Sequence, residues 1–184
     1  MAENLNTVRF QASTPDNLYN QRLYSMSDFI LNYSADNKVG SAVTATAVKL
    51  ASFKIVAGTL SAGSVFDITA LVAKSAATGA PTLKVNLSTT DDNSVTNTIA
   101  TYTVTSTDLL VKVKRLFTVK DTTTLNATVP AATSANNDAS TATSLPAITV
   151  PDLLTNDLYV TLTSSGTADV AVVTPLAFIL NGDK

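Results

Sequence analysis

The chain has 184 residues, enough for one domain with a sizeable core, or one domain with an attached arm, and too few for two full domains. Charged residues make up 14% of it, against about 25% in an average soluble protein, with 12 basic and 14 acidic residues and a formal net charge of −2. That balance lacks the dense basic stripe that nucleic-acid binding needs to neutralise phosphates. The absence of His and Cys removes histidine bases, cysteine nucleophiles, Ser-His-Asp triads, structural zinc and disulfides, and leaves only carboxylate chemistry.

The first residues, MAENLNTVRF, carry an acid at Glu3 and no apolar run, so they do not read as a secretory signal. No stretch of about 18 apolar residues follows anywhere, and no membrane partner is expected. Residues 1–45 read as an N-terminal arm or docking segment, and 46–184 as a β-sandwich domain. In the arm, Val8, Phe10 and Ala12 alternate with polar residues, as an extended segment would. Leu18, Tyr19, Arg22, Leu23, Met26, Ile30 and Tyr33 then recur at spacings of three and four, which predicts a short helix over 15–33. Thr14 and Pro15 stand where a cap and first helical residue belong. The arm holds five of the eleven aromatic residues (Phe10, Tyr19, Tyr24, Phe29 and Tyr33) and the arginines Arg9 and Arg22. Such side chains carry a disproportionate share of interface energy, about 2 kcal/mol or more at a hot spot. Arg9, Phe10, Leu18, Tyr19, Arg22, Leu23, Tyr24, Met26, Phe29, Ile30 and Tyr33 are therefore the candidate partner-binding residues.

From about Thr46 the apolar period changes to two. Strands are expected at 47–56, 65–74, 82–89, 97–105, 110–120, 123–129, 157–164 and 169–180, separated by turn signals at Gly58 to Gly63, 75–81, Asp91-Asp92-Asn93, Asp121 and Ser165-Gly166. Eight short strands at near-regular spacing predict an all-β antiparallel β-sandwich, and eight is the number of a jelly roll. Residues 130–147, framed by Pro130 and Pro146 and poor in large apolar side chains, read as a long mobile excursion from one end of the sandwich. On the strand at 110–120, Val111, Val113, Arg115, Phe117 and Val119 share one face, and Lys112, Lys114 and Lys120 the other. Arg115 then either points into the core and needs a polar partner, or sits near an edge and snorkels to water.

The chemical motifs are weak. Asp91-Asp92-Asn93 and Asn136-Asn137-Asp138 are oxygen-rich, but three adjacent residues rarely converge on one ion, and a turn is the simpler reading. Gly58 and Gly63 frame GTLSAG with no following Lys, so there is no phosphate-binding loop. Tyr102 and Tyr159 are the aromatic residues left for a sugar platform, and both alternate with residues that suit a core. No catalytic residue, cofactor or metal is expected.

The segments FKIVAGTLSAGSVFDITALVAK (53–74), APTLKVNLSTT (80–90), KRLFTVKDTTTLN (114–126) and NDLYVTLTSSGTADVAVVTPLAFILNG (156–182) are informative together. They resemble a pattern in tailed-bacteriophage virion structural proteins, in which an apolar strand runs into an AGTL-x-A-G/N turn, a second strand follows, and a hairpin closes near the C-terminus. The resemblance spans about residues 48–182 and departs from the pattern at the blander 130–147 segment. It implies a jelly-roll β-sandwich serving as a capsid decoration, head-fibre or tail-associated subunit, often a homotrimer, made in the host cytoplasm and located in the virion. The partners so implied are further copies of the chain and other virion proteins. The alternative class is a receptor-binding or adhesin-type surface module. Low charge on many Thr, Ala and Val faces points independently to self-association.

Overall fold

The computed structural model describes residues 30–35, 37–92, 98–127, 133–134, 147–167 and 171–183. Among these the chain is all β, with no helix. Twelve strands occur: β1 (Ile30–Ser34), β2 (Ser41–Ala42), β3 (Val48–Ile55), β4 (Val65–Lys74), β5 (Thr82–Ser88), β6 (Thr98–Thr103), β7 (Leu110–Asp121), β8 (Thr124–Ala127), β9 (Thr133–Ser134), β10 (Ala147–Thr149), β11 (Leu158–Ser165) and β12 (Val172–Asp183). All eight strands expected from the period-two pattern are present.

Two sheets pack face to face. The larger has the order β1-β12-β4-β7-β8-β10, with β2 also on β12, and the smaller has the order β3-β11-β5-β6-β9. Every pairing is antiparallel except the short one between β6 and β9. The pairings are nested: β5 pairs β6, β4 pairs β7, β3 pairs β11 and β1 pairs β12. The chain thus forms a long hairpin folded over on itself, in which the most distant strands meet last.

Alternation makes the core. Phe66, Ile68, Ala70 and Val72 of β4 point inward, as do Val111, Val113, Phe117 and Val119 of β7 and Phe178 and Leu180 of β12. They meet Leu83, Val85 and Leu87 of β5 and Leu158, Val160 and Leu162 of β11. Each such aliphatic or aromatic side chain contributes about 1.5–3 kcal/mol on burial. Phe53 and Phe178 join the sheets with ring centroids 5.1 Å apart, and Phe66 stacks on its cross-strand neighbour Phe117 at 5.2 Å. β12 carries a bulge between Pro175 and Ala177. A bulge suits proline there, because proline has no N–H to give the ladder.

The helix expected over 15–33 does not reach its C-terminal end. Ile30 to Ser34 are extended and pair with Asp183 to Ile179 of β12. Ladder bonds to a strand about 150 positions later overrode a spacing of three and four that local pattern alone had suggested. Tyr33 lies half-buried against the core, its ring 6.0 Å from that of Phe53. β1 and β2 therefore belong to the larger sheet although they precede residue 46. The rest of that helix, and most of the 130–147 segment, lie outside the described residues. The last residue of that segment, Ala147, pairs with Asn126 of β8.

Arg115 is 1% exposed and faces the core from the middle of β7. The snorkelling alternative is thereby excluded. Its Nε donates to the Tyr102 hydroxyl of β6 at 3.2 Å, and its guanidinium lies 4.9 Å from the centre of that ring. A cation is thus held by an aromatic face and hydroxyl reaching across from the opposite sheet.

Candidate interaction surface

The outward faces of the two sheets differ in chemistry. On the smaller sheet the side chains opposite the core are polar, with Lys49, Lys54, Lys84 and Tyr159 around small central residues that bond to one another. Asn86 Nδ2 donates to Thr163 Oγ1 at 3.3 Å, and Thr98 Oγ1 donates to Asn86 Oδ1 at 2.9 Å. Asn86, Thr161 and Thr163 are all buried. Their polar groups are used within the face, which leaves few for a partner.

The outward face of the larger sheet is divided along its strands. At one end Leu110 of β7 stands opposite Ala73 of β4, and Leu71, two positions along β4, stands opposite Ala177 of β12. Ile179 follows on the same face, and Leu176 is pushed out at the bulge. Leu110 is 59% exposed and Leu176 48%, with Val172 also exposed at the strand's start. Alternation sends Val72, Val111 and Phe178 inward and these residues outward, so this half of the face is mostly apolar, with Lys112 opposite Leu71 and Thr174 opposite Ala73 as its polar members. Toward the other end it is mixed: Lys114 pairs with Asp67 at 3.5 Å and Thr69 Oγ1 donates to the same carboxylate at 3.1 Å, while Leu116, opposite Asp67, and Val65 are exposed. Exposed Leu110 and Leu176 flank the half-buried Leu71 on the strand between them, so these side chains form a patch rather than standing singly.

The backbone below the apolar half is held firmly. Lys74, the last residue of β4, is 6% exposed, and its ammonium donates to the carbonyls of Gly79 (3.0 Å), Thr105 (3.0 Å) and Ser106 (2.8 Å). All three ammonium protons have an acceptor, so the charge is buried without an acid. The Lys74 amide donates to Leu109 O at 2.8 Å, and Ser75 exchanges bonds with Val172 through its amide and hydroxyl. The segments that present Leu110 and Val172 are thus fixed before any partner arrives, which lowers the entropic cost of association.

Several of the described carboxylates are engaged in turns and ion pairs. Asp121 accepts from the Thr123 amide at 3.0 Å, which holds its pKa below the ordinary value. Asp152 accepts from the Leu154 amide at 2.9 Å. Asp91, in the connection from β5 to β6, pairs with Lys49 at 3.0 Å, and Asn93 of that cluster lies outside the described residues. Asp157 bonds Lys54 and accepts from the Ala57 amide at 3.0 Å; the Lys54 bond, then the amide, lowers its pKa, and the same bond raises that of Lys54. Among the described residues no group of three acids approaches a metal-site arrangement. No described helix is long and apolar enough to cross a membrane.

Of the residues expected to bind partners, Ile30 and Tyr33 lie in β1, and Arg9, Phe10, Leu18, Tyr19, Arg22, Leu23, Tyr24, Met26 and Phe29 lie outside the described residues. The structure also brings together Leu71, Leu110, Val172, Leu176, Ala177 and Ile179, which sequence reasoning had placed in strands without assigning them to an outward apolar face. The available signal was the doubly apolar stretch ITALVA of β4, too apolar for a strand with one wet side. Of the two sugar-platform candidates, Tyr102 is buried under Arg115, and Tyr159 stands beside Lys54 with the ammonium 6.0 Å from its ring. No family model matches the chain, and no curated protein does.

Proposed function

We propose that this chain is a non-enzymatic structural subunit of a bacteriophage virion, a jelly-roll β-sandwich of the capsid-decoration or head-fibre kind that works by binding other protein subunits. An aliphatic patch on the larger sheet's outward face carries the reading: six aliphatic side chains on three adjacent strands, bordered by Lys112, form a surface suited to protein rather than to water or a small molecule. The jelly-roll assignment is supported by the strand order. With β1, β3, β4, β5, β6, β7, β11 and β12 counted one to eight, first pairs with last, second with seventh, third with sixth and fourth with fifth. That is a hairpin rolled into two four-stranded sheets, the arrangement of many capsid domains. A shared fold does not fix a role, and the virion assignment rests on the sequence resemblance and the low charge. The trimer is the oligomer that the resemblance implies, and docking to other virion proteins is assigned to the arm that precedes β1.

Two measurements test this. Light scattering behind size exclusion is expected to show an oligomer for the full chain and a smaller species for Leu71→Lys, at unchanged circular dichroism. A monomer at every concentration refutes self-association. Mass spectrometry of density-banded phage particles is expected to find the chain at fixed stoichiometry to the major capsid protein. Recovery only among free proteins refutes the virion role.

A further inference from the structure

β3 ends the smaller sheet, and an open strand edge invites pairing with another chain. Residues 37–40 run along that edge. The Ser52 amide donates to Asn37 Oδ1 at 3.0 Å, Asn37 Nδ2 donates to Ser52 Oγ at 2.9 Å, and the Val39 amide donates to Leu50 O at 2.8 Å. An asparagine amide thus stands in for one peptide unit of a neighbouring strand. These three bonds are the described attachments of the segment to β3, and they are exposed on one side: Asn37, Lys38, Val39 and Gly40 are all exposed, Val39 by 58%, whereas their β3 partners Ser52 and Leu50 are buried.

The flanks are anchored differently. Ala35 is buried and its amide donates to Phe178 O at 2.9 Å, while Ser41 pairs with Val173. Gly40 lies so close to β12 that a Cβ there would stand 2.7 Å from Thr174 Oγ1. Both ends of the segment are therefore held by β12, and its middle can leave β3 without disturbing the larger sheet.

We propose that residues 37–40 are a displaceable guard over β3, and that its release lets β3 pair with β3 of a second copy of this chain. The edge is self-complementary. Residues 51, 53 and 55 face β11 with their peptide groups, so those of Ser52 and Lys54 face the free edge. A two-fold pairing centred on Phe53 sets Ser52 of each copy against Lys54 of the other, and Ala51 against Ile55. No like charges stand opposite, and the inward faces continue from one copy to the next. The two smaller sheets then form one continuous sheet. This contact is separate from the apolar face of the larger sheet and does not depend on it.

The test uses the full chain carrying Leu71→Lys, so that association through the outward face does not contribute, with and without Asn37→Ala and Val39→Pro. In the parent, hydrogen exchange at the Ser52 amide is expected to be on the order of 100-fold faster than at Val160, in the centre of β11, because the guard opens locally. In the guard variant, sedimentation velocity is expected to show a concentration-dependent dimer, with Ser52 protected again as the dimer forms. Should Val39→Pro unfold the chain, Asn37→Ala alone, at an exposed side chain, gives the same reading. A folded guard variant that stays monomeric, or a parent Ser52 amide exchanging as slowly as Val160, overturns the proposal.

Discussion

Replacing Lys74 by Met keeps the aliphatic stem and removes the ammonium that three carbonyls surround. The carbonyls of Gly79, Thr105 and Ser106 then lose their donor in a place where the side chain is 6% exposed. At about 1 kcal/mol for each acceptor left unsatisfied, the loss is about 3 kcal/mol; relief from burying a charge offsets part of it, and repulsion among three converging oxygens opposes that relief. For a chain of this length about 1 kcal/mol corresponds to about 2–4 °C in Tm, so Lys74→Met is expected to melt about 6–12 °C below the parent. Lys74→Arg should not restore the loss, because a planar guanidinium does not fill a compact three-acceptor cage. The control is Lys120→Met on the exposed side of β7, expected to lie within about 0.5 kcal/mol of the parent. Differential scanning calorimetry decides the matter. A Lys74→Met transition indistinguishable from that of Lys120→Met would refute the argument that the cage stabilises this end of the sandwich.

Tyr102→Phe keeps the ring over Arg115 and removes the hydroxyl that accepts from its Nε, so urea unfolding should show a loss of about 1–3 kcal/mol; an unchanged midpoint would show that the ring contact alone suffices. The Lys54–Asp157 pair gives a pH signature. The Asp157 pKa is lowered by Lys54, so its contribution is present above the unfolded carboxylate value, about 3.9, and is lost as pH falls through the lower folded value. The Lys54 pKa is raised by Asp157, so its contribution is present below the unfolded lysine value, about 10.4, and is lost as pH rises through the higher folded value. The Tm difference between the parent and Lys54→Met should therefore be flat across the neutral range and shrink at both extremes, and one that persists in acid contradicts the assignment.

The strands that alternate cleanly were legible from sequence. VFDITALVAK was legible as a strand, and LVKVKRLFTVK also divided into two faces, with Arg115 left either buried with a polar partner or snorkelling to water at an edge. β1 was not legible, because ILNYS is short and its identity as a strand comes from β12, far along the chain. The outward surface failed for a related reason. Leu71, Leu110 and Ala177 are apolar in any reading, but that they adjoin is a matter of register between three strands, and a bulge at Pro175 sets one of those registers. Nothing in the sequence singles out Lys74; its burial depends on carbonyls from two loops that sequence places 5 and 31 or 32 positions away. Local period determines which side of a strand is dry, whereas sites here are assembled by pairings that local period does not encode.

The nesting of the strands also dictates an order of synthesis and assembly. β5 and β6 can pair as soon as both have left the ribosome, but β3 must wait for β11, and β1 must wait for β12, whose last described residue pairs with Ile30. Contacts this remote in sequence make folding slow and leave early strands without partners while the chain is incomplete. A nascent chain that lacks its final 12 or so residues has neither the strand that joins β1 to β4 nor the ladder that holds β2. Truncation near the C-terminus should therefore be felt first at the N-terminal edge of the larger sheet, at the opposite end of the polypeptide from the cut.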